Sequence, residues 1–359
     1  MQFVVNHKRR GGTALVKLKD IAEACGVSAA TVSRALNGVT DPERKNTAFI
    51  LRTAKEMGYF PNAAARTLKT SRSNNIGILY EDRMDHEYFS LLLNELRFAA
   101  EDHGYDLTFI QRTLHDPEAG DYSGRARRRN LDGVVVVQAD FNSADVMRLA
   151  AGSIPTVVID HVYEGCDCVM CDNRTGMETL VRTAWEKGHR KIACIHGEDG
   201  TVTRERMTGF YKACAELGIR VPADFVRPGH FHDPESCTAI VSSLMHAEVT
   251  PTCILCPDDF SCLGALKALE EMNLRAAREV SLAGYDGIRM GQMLHPKLTT
   301  LRQDAPKAAR ETVALLLDAI ENPETHRPRQ VMVAGELLMG ETLGHAPKDE
   351  NVSDEGTEK

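Results

Sequence analysis

The sequence predicts a small all-α head joined to a larger α/β body. Three observations carry that reading. Positive charge sits at one end: residues 1–72 hold 13 Lys and Arg against 5 Asp and Glu, while the other 287 residues hold 30 against 46. Apolar residues between 18 and 57 recur with the 3.6-residue period of short helices. From residue 76 onward, short apolar runs alternate with amphipathic stretches, the pattern of parallel sheets covered by helices on both faces. A chain of 359 residues also exceeds one ordinary core.

Composition narrows the function classes. With 43% hydrophobic and 26% charged residues, a fibrous or mostly disordered protein is excluded. The apolar run Val134-Val135-Val136-Val137 is far short of the roughly 18–20 residues that a membrane-spanning helix needs. The first ten residues show charges without an apolar stretch behind them, so a cytoplasmic chain with ten reduced cysteines is expected. A basic end on an acidic body suggests that only the head approaches a polyanion.

Leu18, Ile21, Ala22 and Cys25 mark one face of a first helix, ended by Gly26. Val27 is expected as a buried spacer in the turn, and Ser28 as the N-cap of a second helix over Ala29–Leu36. That helix turns Val32 and Leu36 inward, and Thr31, Ser33 and Arg34 outward as partners for phosphates or base edges. Two short helices joined through a glycine turn are the helix-turn-helix signature. A third helix over about 47–57 offers Ile50, Ala54 and Met57 and stops at Gly58. Asn62 opens an alanine-rich stretch, 63–69, too short to hold as an isolated helix, so it folds only when something holds it. Within it Leu68 stands between Arg66 and Lys69, either packed on the body or serving a purpose on the basic strip. Residues 70–74 read as a linker, and 1–16, with Lys8-Arg9-Arg10, as a disordered extension.

In the body, strands are predicted at 76–80, 107–110, 134–137, 156–159, 191–195, 253–256 and 281–285. Helices are expected over the Phe89, Leu92, Leu93, Leu96 and Ala100 face and near 175–187, 203–217, 234–246 and 260–272. About 275 residues of this alternation suffice for two lobes, with ligands at the carboxyl ends of the strands. The cysteine run 166–171 lacks a second CxxC or a nearby histidine, and Cys253 and Cys256 fall in a buried strand, so no metal site is expected. His232, Asp233 and Ser236 have the residue types of a hydrolytic triad without its context, and no phosphate-binding glycine loop appears. Neither an enzyme nor a cofactor is expected. The polar, acidic tail 346–359 reads as disordered.

The head's motifs are specific. Lys17-Leu18-Lys19-Asp20-Ile21-Ala22, Cys25-Gly26-Val27-Ser28 and Thr31-Val32-Ser33-Arg34-Ala35-Leu36-Asn37, with Gly58-Tyr59-Phe60-Pro61-Asn62-Ala63-Ala64-Ala65-Arg66, resemble the N-terminal domain of the lactose-repressor family. The resemblance implies a DNA-binding domain at 17–62, a hinge helix and linker at 63–74, and a body at 75–345. It places Ala29, Ala30 and Arg34 at base-reading positions in the major groove, with Thr31, Ser33, Asn62, Arg66 and Lys69 as further DNA contacts. It also makes Leu68 a wedge that opens a base step from the minor groove. Alanines at 29 and 30 depart from the larger side chains of many relatives and leave hydrogen-bonded readout to Arg34, typically on guanine.

The body resembles the effector-binding part of the same family, a periplasmic-binding-protein-like fold of two lobes. Asp132-Gly133-Val134-Val135, Gly188-His189-Arg190-Lys191, Arg206-Met207-Thr208-Gly209-Phe210 and Gly284-Tyr285-Asp286-Gly287 carry the likeness. It implies an effector site of Asp160, Arg206, Phe231, Asp258 and Asp286, in which charged groups take neighbouring hydroxyls and a ring covers the C–H face of a sugar. Asp258 stands where asparagine is frequent, Asp172 belongs to the cleft or to a subunit interface, and an Asp after a strand also suits a helix N-cap. At the cleft mouth, Glu81, Asp82, Asp85, His86 and Tyr88 favour a neutral or cationic polyol over a phosphorylated sugar. The function implied is a homodimeric or tetrameric repressor of a pseudo-palindromic double-stranded operator, released by a small carbohydrate-like effector. The rivals are a family member governed by a co-repressor or phosphoprotein and partly activating, and a cytoplasmic sugar-binding protein. No membrane partner is expected.

Overall fold

The computed structural model describes residues 16–36, 45–59, 72–81, 84–111 and 121–347. Asn62, Arg66, Leu68 and Lys69, with residues 1–15 and 348–359, lie outside the described residues. The chain divides into two compact units, Met1–Ser73 and Asn74–Lys359. No described helix is long and apolar enough to cross a membrane.

The first unit packs α1 (Leu18–Cys25), α2 (Ala29–Leu36) and α3 (Lys45–Glu56) around Ile21, Val32, Ile50 and Ala54. Asp20 accepts the Lys17 backbone N–H at 2.7 Å and fixes the entry to α1. Gly26 ends it in the left-handed region at φ 65°, which favours a residue without Cβ. Ser28 Oγ accepts the Thr31 N–H at 3.1 Å, the expected N-cap of α2. Two details differ from expectation. Val27 is only half-buried, and Ala35 rather than Leu36 lies fully inside beside Val32. On a 3.6-residue period the third and fourth positions after Val32 both border the inner face, and the smaller side chain allows the closer approach.

The second unit holds two six-stranded sheets. Its elements in chain order are β1 (Asn75–Tyr80), α4 (Glu87–Asp102), β2 (Asp106–Phe109), α5 (Tyr122–Arg128), β3 (Gly133–Gln138), α6 (Ala144–Ala150), β4 (Thr156–Ile159) and β5 (Asp167–Cys171). There follow α7 (Asn173–Glu186), β6 (Ile192–His196), α8 (Thr201–Glu216), β7 (Val226–Pro228), α9 (Pro234–Met245), β8 (Cys253–Leu255) and α10 (Asp259–Glu271). The chain ends with β9 (Ser281–Asp286), α11 (Arg289–Met293), β10 (Thr299–Arg302), α12 (Ala305–Glu321), β11 (Gln330–Val333) and β12 (Glu336–Leu338). The first sheet runs β11-β5-β4-β3-β1-β2 and the second β12-β10-β9-β8-β6-β7. Every pairing is parallel except the edge pair β10–β12. The chain crosses between lobes after β5, after β10 and after β11, so three connecting segments join the lobes.

Some elements were not foreseen. The cysteine run is largely a strand: β5 lies between β4 and β11 and is buried throughout. All ten cysteines are free thiols, nine of them buried. α12 returns to cover the first sheet with Ala308, Ala309, Val313 and Leu316. Asp172 caps α7 by accepting the Thr175 N–H at 3.1 Å. The ordered body runs past 345, because the Ala346 N–H reaches the Lys187 carbonyl at 2.9 Å.

Candidate functional site

On the head, α2 turns Ala29, Ala30 and Arg34 to solvent. Thr31 and Ser33 are half-buried, and Thr31 Oγ1 lies 2.9 Å from Ser28 Oγ, so part of its hydrogen-bonding capacity serves the cap. The outward face therefore offers small side chains near the helix start and one exposed guanidinium a turn later.

In the body, the carboxyl ends of both sheets face a cavity of about 370 Å³ lined from both lobes, with Asp160, Arg206, Phe231 and Asp286 on its wall. Arg206 is built in from several sides. Its Nε donates to Asn173 Oδ1 at 2.8 Å and one terminal nitrogen to the Pro257 carbonyl at 2.7 Å. The guanidinium stacks 3.5 Å from the Tyr285 ring centroid and faces Phe231 at 5.6 Å. The other terminal nitrogen lies 3.9 Å from Asp286 Oδ1. A charge only 6% exposed is stable there because carbonyl, amide, rings and carboxylate all meet it.

Asp286 ends β9 at φ 108° and accepts the Gln303 side-chain amide at 2.6 Å. Burial pushes its carboxyl up to about 7 despite the pull of Arg206. Asp160, at φ 59° after β4, accepts the Cys171 N–H at 3.0 Å. Burial raises its carboxyl too, with that backbone bond and Arg206 opposing. Phe231 stands against Gly197, where an added Cβ would sit 2.2 Å from the ring, so only glycine leaves room. Glu198 holds that loop by accepting the Phe231 N–H at 3.0 Å.

Asp258 is different. It is 1% exposed, lies off the cavity wall, and caps α10 through the Ser261 N–H at 2.7 Å. Its second oxygen accepts the His232 N–H at 2.8 Å, so it shapes the loop from behind. His86 and Tyr88, expected at the cleft mouth, are buried at 8% and 4% exposure. His232, Gln303, Thr203 and Phe141, none of them expected at the effector site, also line the cavity. His232 entered the sequence reading only as a triad residue type, and Thr203 and Phe141 gave no pattern. Of the triad residue types, Asp233 serves as the N-cap of α9, accepting the Ser236 N–H at 3.0 Å.

The lobes touch across the cleft on both sides. Thr201 Oγ1 lies 3.0 Å from His161 Nδ1 on one side. On the other, the Glu87 carboxylate accepts the backbone N–H of Arg289 and, at 3.4 Å, that of Met290.

Comparison with known proteins adds five likenesses. The family model described as bacterial regulatory proteins, lacI family, matches residues 17–62, and that of a periplasmic binding protein-like domain matches 181–343. The HTH-type transcriptional repressor PurR of Haemophilus influenzae (strain PittEE) is 30% identical over 314 residues, covering 86% of this chain and 93% of the relative. The Lac repressor dimer bound to operator and the anti-inducer ONPF superposes with a TM-score of 0.78 at 22% identity, over 92% of this chain and 100% of that one. The transcriptional regulator CelR–cellobiose complex gives 0.67 at 24% identity, over 91% and 99%.

Proposed function

The chain belongs to the lacI family of bacterial regulatory proteins, a DNA-binding transcriptional repressor with a ligand-binding body, and we propose that a small neutral carbohydrate-like effector bound between its lobes releases it from DNA. The observation that carries the effector reading is the buried Arg206–Asp286 pair between Phe231 and Tyr285 on the wall of the two-lobed cavity. A guanidinium and a carboxyl side by side offer a donor and an acceptor to adjacent hydroxyls, while Phe231 offers an apolar face. Asp160, Glu198, Asp199 and Asp286 line the cavity against the single guanidinium of Arg206, which disfavours an anionic ligand.

Ala29, Ala30, Thr31, Ser33 and Arg34 would read the major groove, with Asn62, Arg66 and Lys69 as further contacts and Leu68 as the minor-groove wedge. A homodimer would match a pseudo-palindromic operator, in the cytoplasm where the chromosome lies. No turnover of the effector is expected, since the cavity residues form a binding set. Coupling requires that the effector bind one lobe arrangement more tightly than the other.

The test is a thermal-shift panel of neutral mono- and disaccharides, with phosphorylated sugars alongside, on the full chain. A binder raises the melting temperature by mass action. A neutral sugar that shifts the transition and lowers operator affinity supports the reading. Phe231→Ala and Asp286→Asn are expected to keep operator binding and to weaken that response at least tenfold. A full response in both variants places the effector elsewhere.

A further inference from the structure

We propose that His86, His232 and Asp286 form a binding site for a divalent transition-metal ion that ties the two lobes together. His86 precedes α4 in the first lobe; His232, before α9, and Asp286, at the end of β9, belong to the second. One ligand atom from each lies within 4.8 Å of the other two, and His86 Nε2 is 3.6 Å from Asp286 Oδ2. The imidazole rings lie with centroids 3.5 Å apart. An ion held about 2.0–2.2 Å from nitrogen and oxygen ligands needs those ligands roughly 3.4 Å apart, which side-chain adjustment reaches from here.

The surroundings suit metal ligation. Two imidazoles and a carboxylate favour Zn²⁺, Co²⁺ or Ni²⁺ over Mg²⁺ or Ca²⁺, which prefer all-oxygen sites. The ligands are held from outside: Gln303 donates to Asp286 Oδ1 at 2.6 Å, leaving Oδ2 towards His86, and Asp258 Oδ1 stands 3.7 Å from His232 Nδ1. Carboxylate and amide partners of this kind orient metal ligands. Arg206 opposes the ion, but from the Oδ1 side of Asp286. His232 and Asp286 also line the cavity, so the remaining coordination position faces it. Because the donors come from both lobes, the ion would bind the closed arrangement more tightly than an open one and would stabilise closure.

The site goes beyond the effector reading while sharing Asp286 with it, and the test uses metal alone so that the two can fail separately. Untagged, chelator-stripped full-length protein is titrated with CoCl₂ and ZnSO₄. Expected are visible Co²⁺ ligand-field bands saturating at one ion per chain, without thiolate charge-transfer absorption. Zn²⁺ should raise the melting temperature, and MgCl₂ and CaCl₂ should not. His86→Gln and His232→Gln should each lower Co²⁺ affinity at least tenfold, whereas His246→Gln, at an exposed site, should not. Absence of Co²⁺ bands in the wild type overturns the proposal, as does strong thiolate absorption, which would put the ion on cysteines. Undiminished binding in either His86→Gln or His232→Gln also overturns it, because the lobes would then not be bridged.

Discussion

At the scale of single residues, the cleft was legible where chemistry is unusual and opaque where it is common. The family resemblance implied that Arg206 and Asp286 both belong to the effector site, and the two do stand together, 3.9 Å apart. Asp258 had the same sequence signature, yet its oxygens go to the Ser261 and His232 N–H groups. An Asp after a strand looks alike whether it caps a helix or faces a ligand, because both roles need a short acceptor in the same place. Nothing in sequence marks Gly197, although its lack of a Cβ is what admits the Phe231 ring. Gly197→Ala is accordingly expected to displace that ring and weaken the effector found in the sugar panel about tenfold, with operator binding retained; calorimetric titration checks it. On the head, Arg34 is the exposed long donor of α2 beside two alanines. Arg34→Ala should cost about 1–3 kcal/mol on the preferred operator and relax preference at one symmetric position. Profiling of selected DNA sequences checks this, and an unchanged profile would remove Arg34 from the reading face.

At the scale of elements, helices and strands with strong periodicity or clear stops were foreseen, and those defined by tertiary packing were not. The second helix of the head has both a Ser cap and a regular apolar face, and its observed bounds are the expected ones. The strand β5 has the sequence Asp-Cys-Val-Met-Cys, with little of the β-branched signal that marks a strand, and is one because β4 and β11 pair with it on either side. Its first residue is tethered across the lobe: Asp167 Oδ2 lies 2.7 Å from His326 Nε2, while His326 Nδ1 lies 2.9 Å from Asp318 Oδ2 on α12. Burial by itself would lower the pKa of His326, but its hydrogen bonds to the two carboxylates outweigh that, and it is raised. A group raised on folding adds stability that is fully present below its unfolded value, about 6.5, and is lost as pH climbs through the folded value. His326→Gln should therefore lower the melting temperature by a few degrees near pH ~6 and by progressively less in alkaline buffer, where the wild-type imidazole is neutral too. A gap that stays constant or widens with pH would show that the tether works without its charge.

At the scale of the whole body, the decisive feature is that one chain crosses three times between two lobes, which lets the cleft close without any strand leaving its sheet. The α/β alternation announced two parallel sheets, but it could not show that the chain crosses a third time at 333–336, because β11 and β12 are only four and three residues long and belong to different sheets. The lobes meet beside the cavity through contacts at both edges of the cleft. One of them is Glu87, the first residue of α4, whose carboxylate accepts two backbone N–H groups at the start of α11 in the other lobe. Glu87→Gln keeps the shape but gives up the charge of that acceptor. For an exposed pair the loss is about 0.5–1 kcal/mol, or roughly a two- to fivefold drop in the closed population relative to the open one. If only the closed form binds the effector, the apparent Kd rises by up to that factor, since it equals the intrinsic Kd divided by the competent fraction. The change then differs in kind from that of Phe231→Ala, which removes a contact with the ligand itself. Because coupling is reciprocal, the effector concentration needed to release operator should rise by the same factor as the Kd. Titration calorimetry and an operator-release curve on the same Glu87→Gln preparation measure the two. A Kd and a release midpoint both equal to those of the wild type would mean that the contact between Glu87 and α11 has no part in closing the cleft.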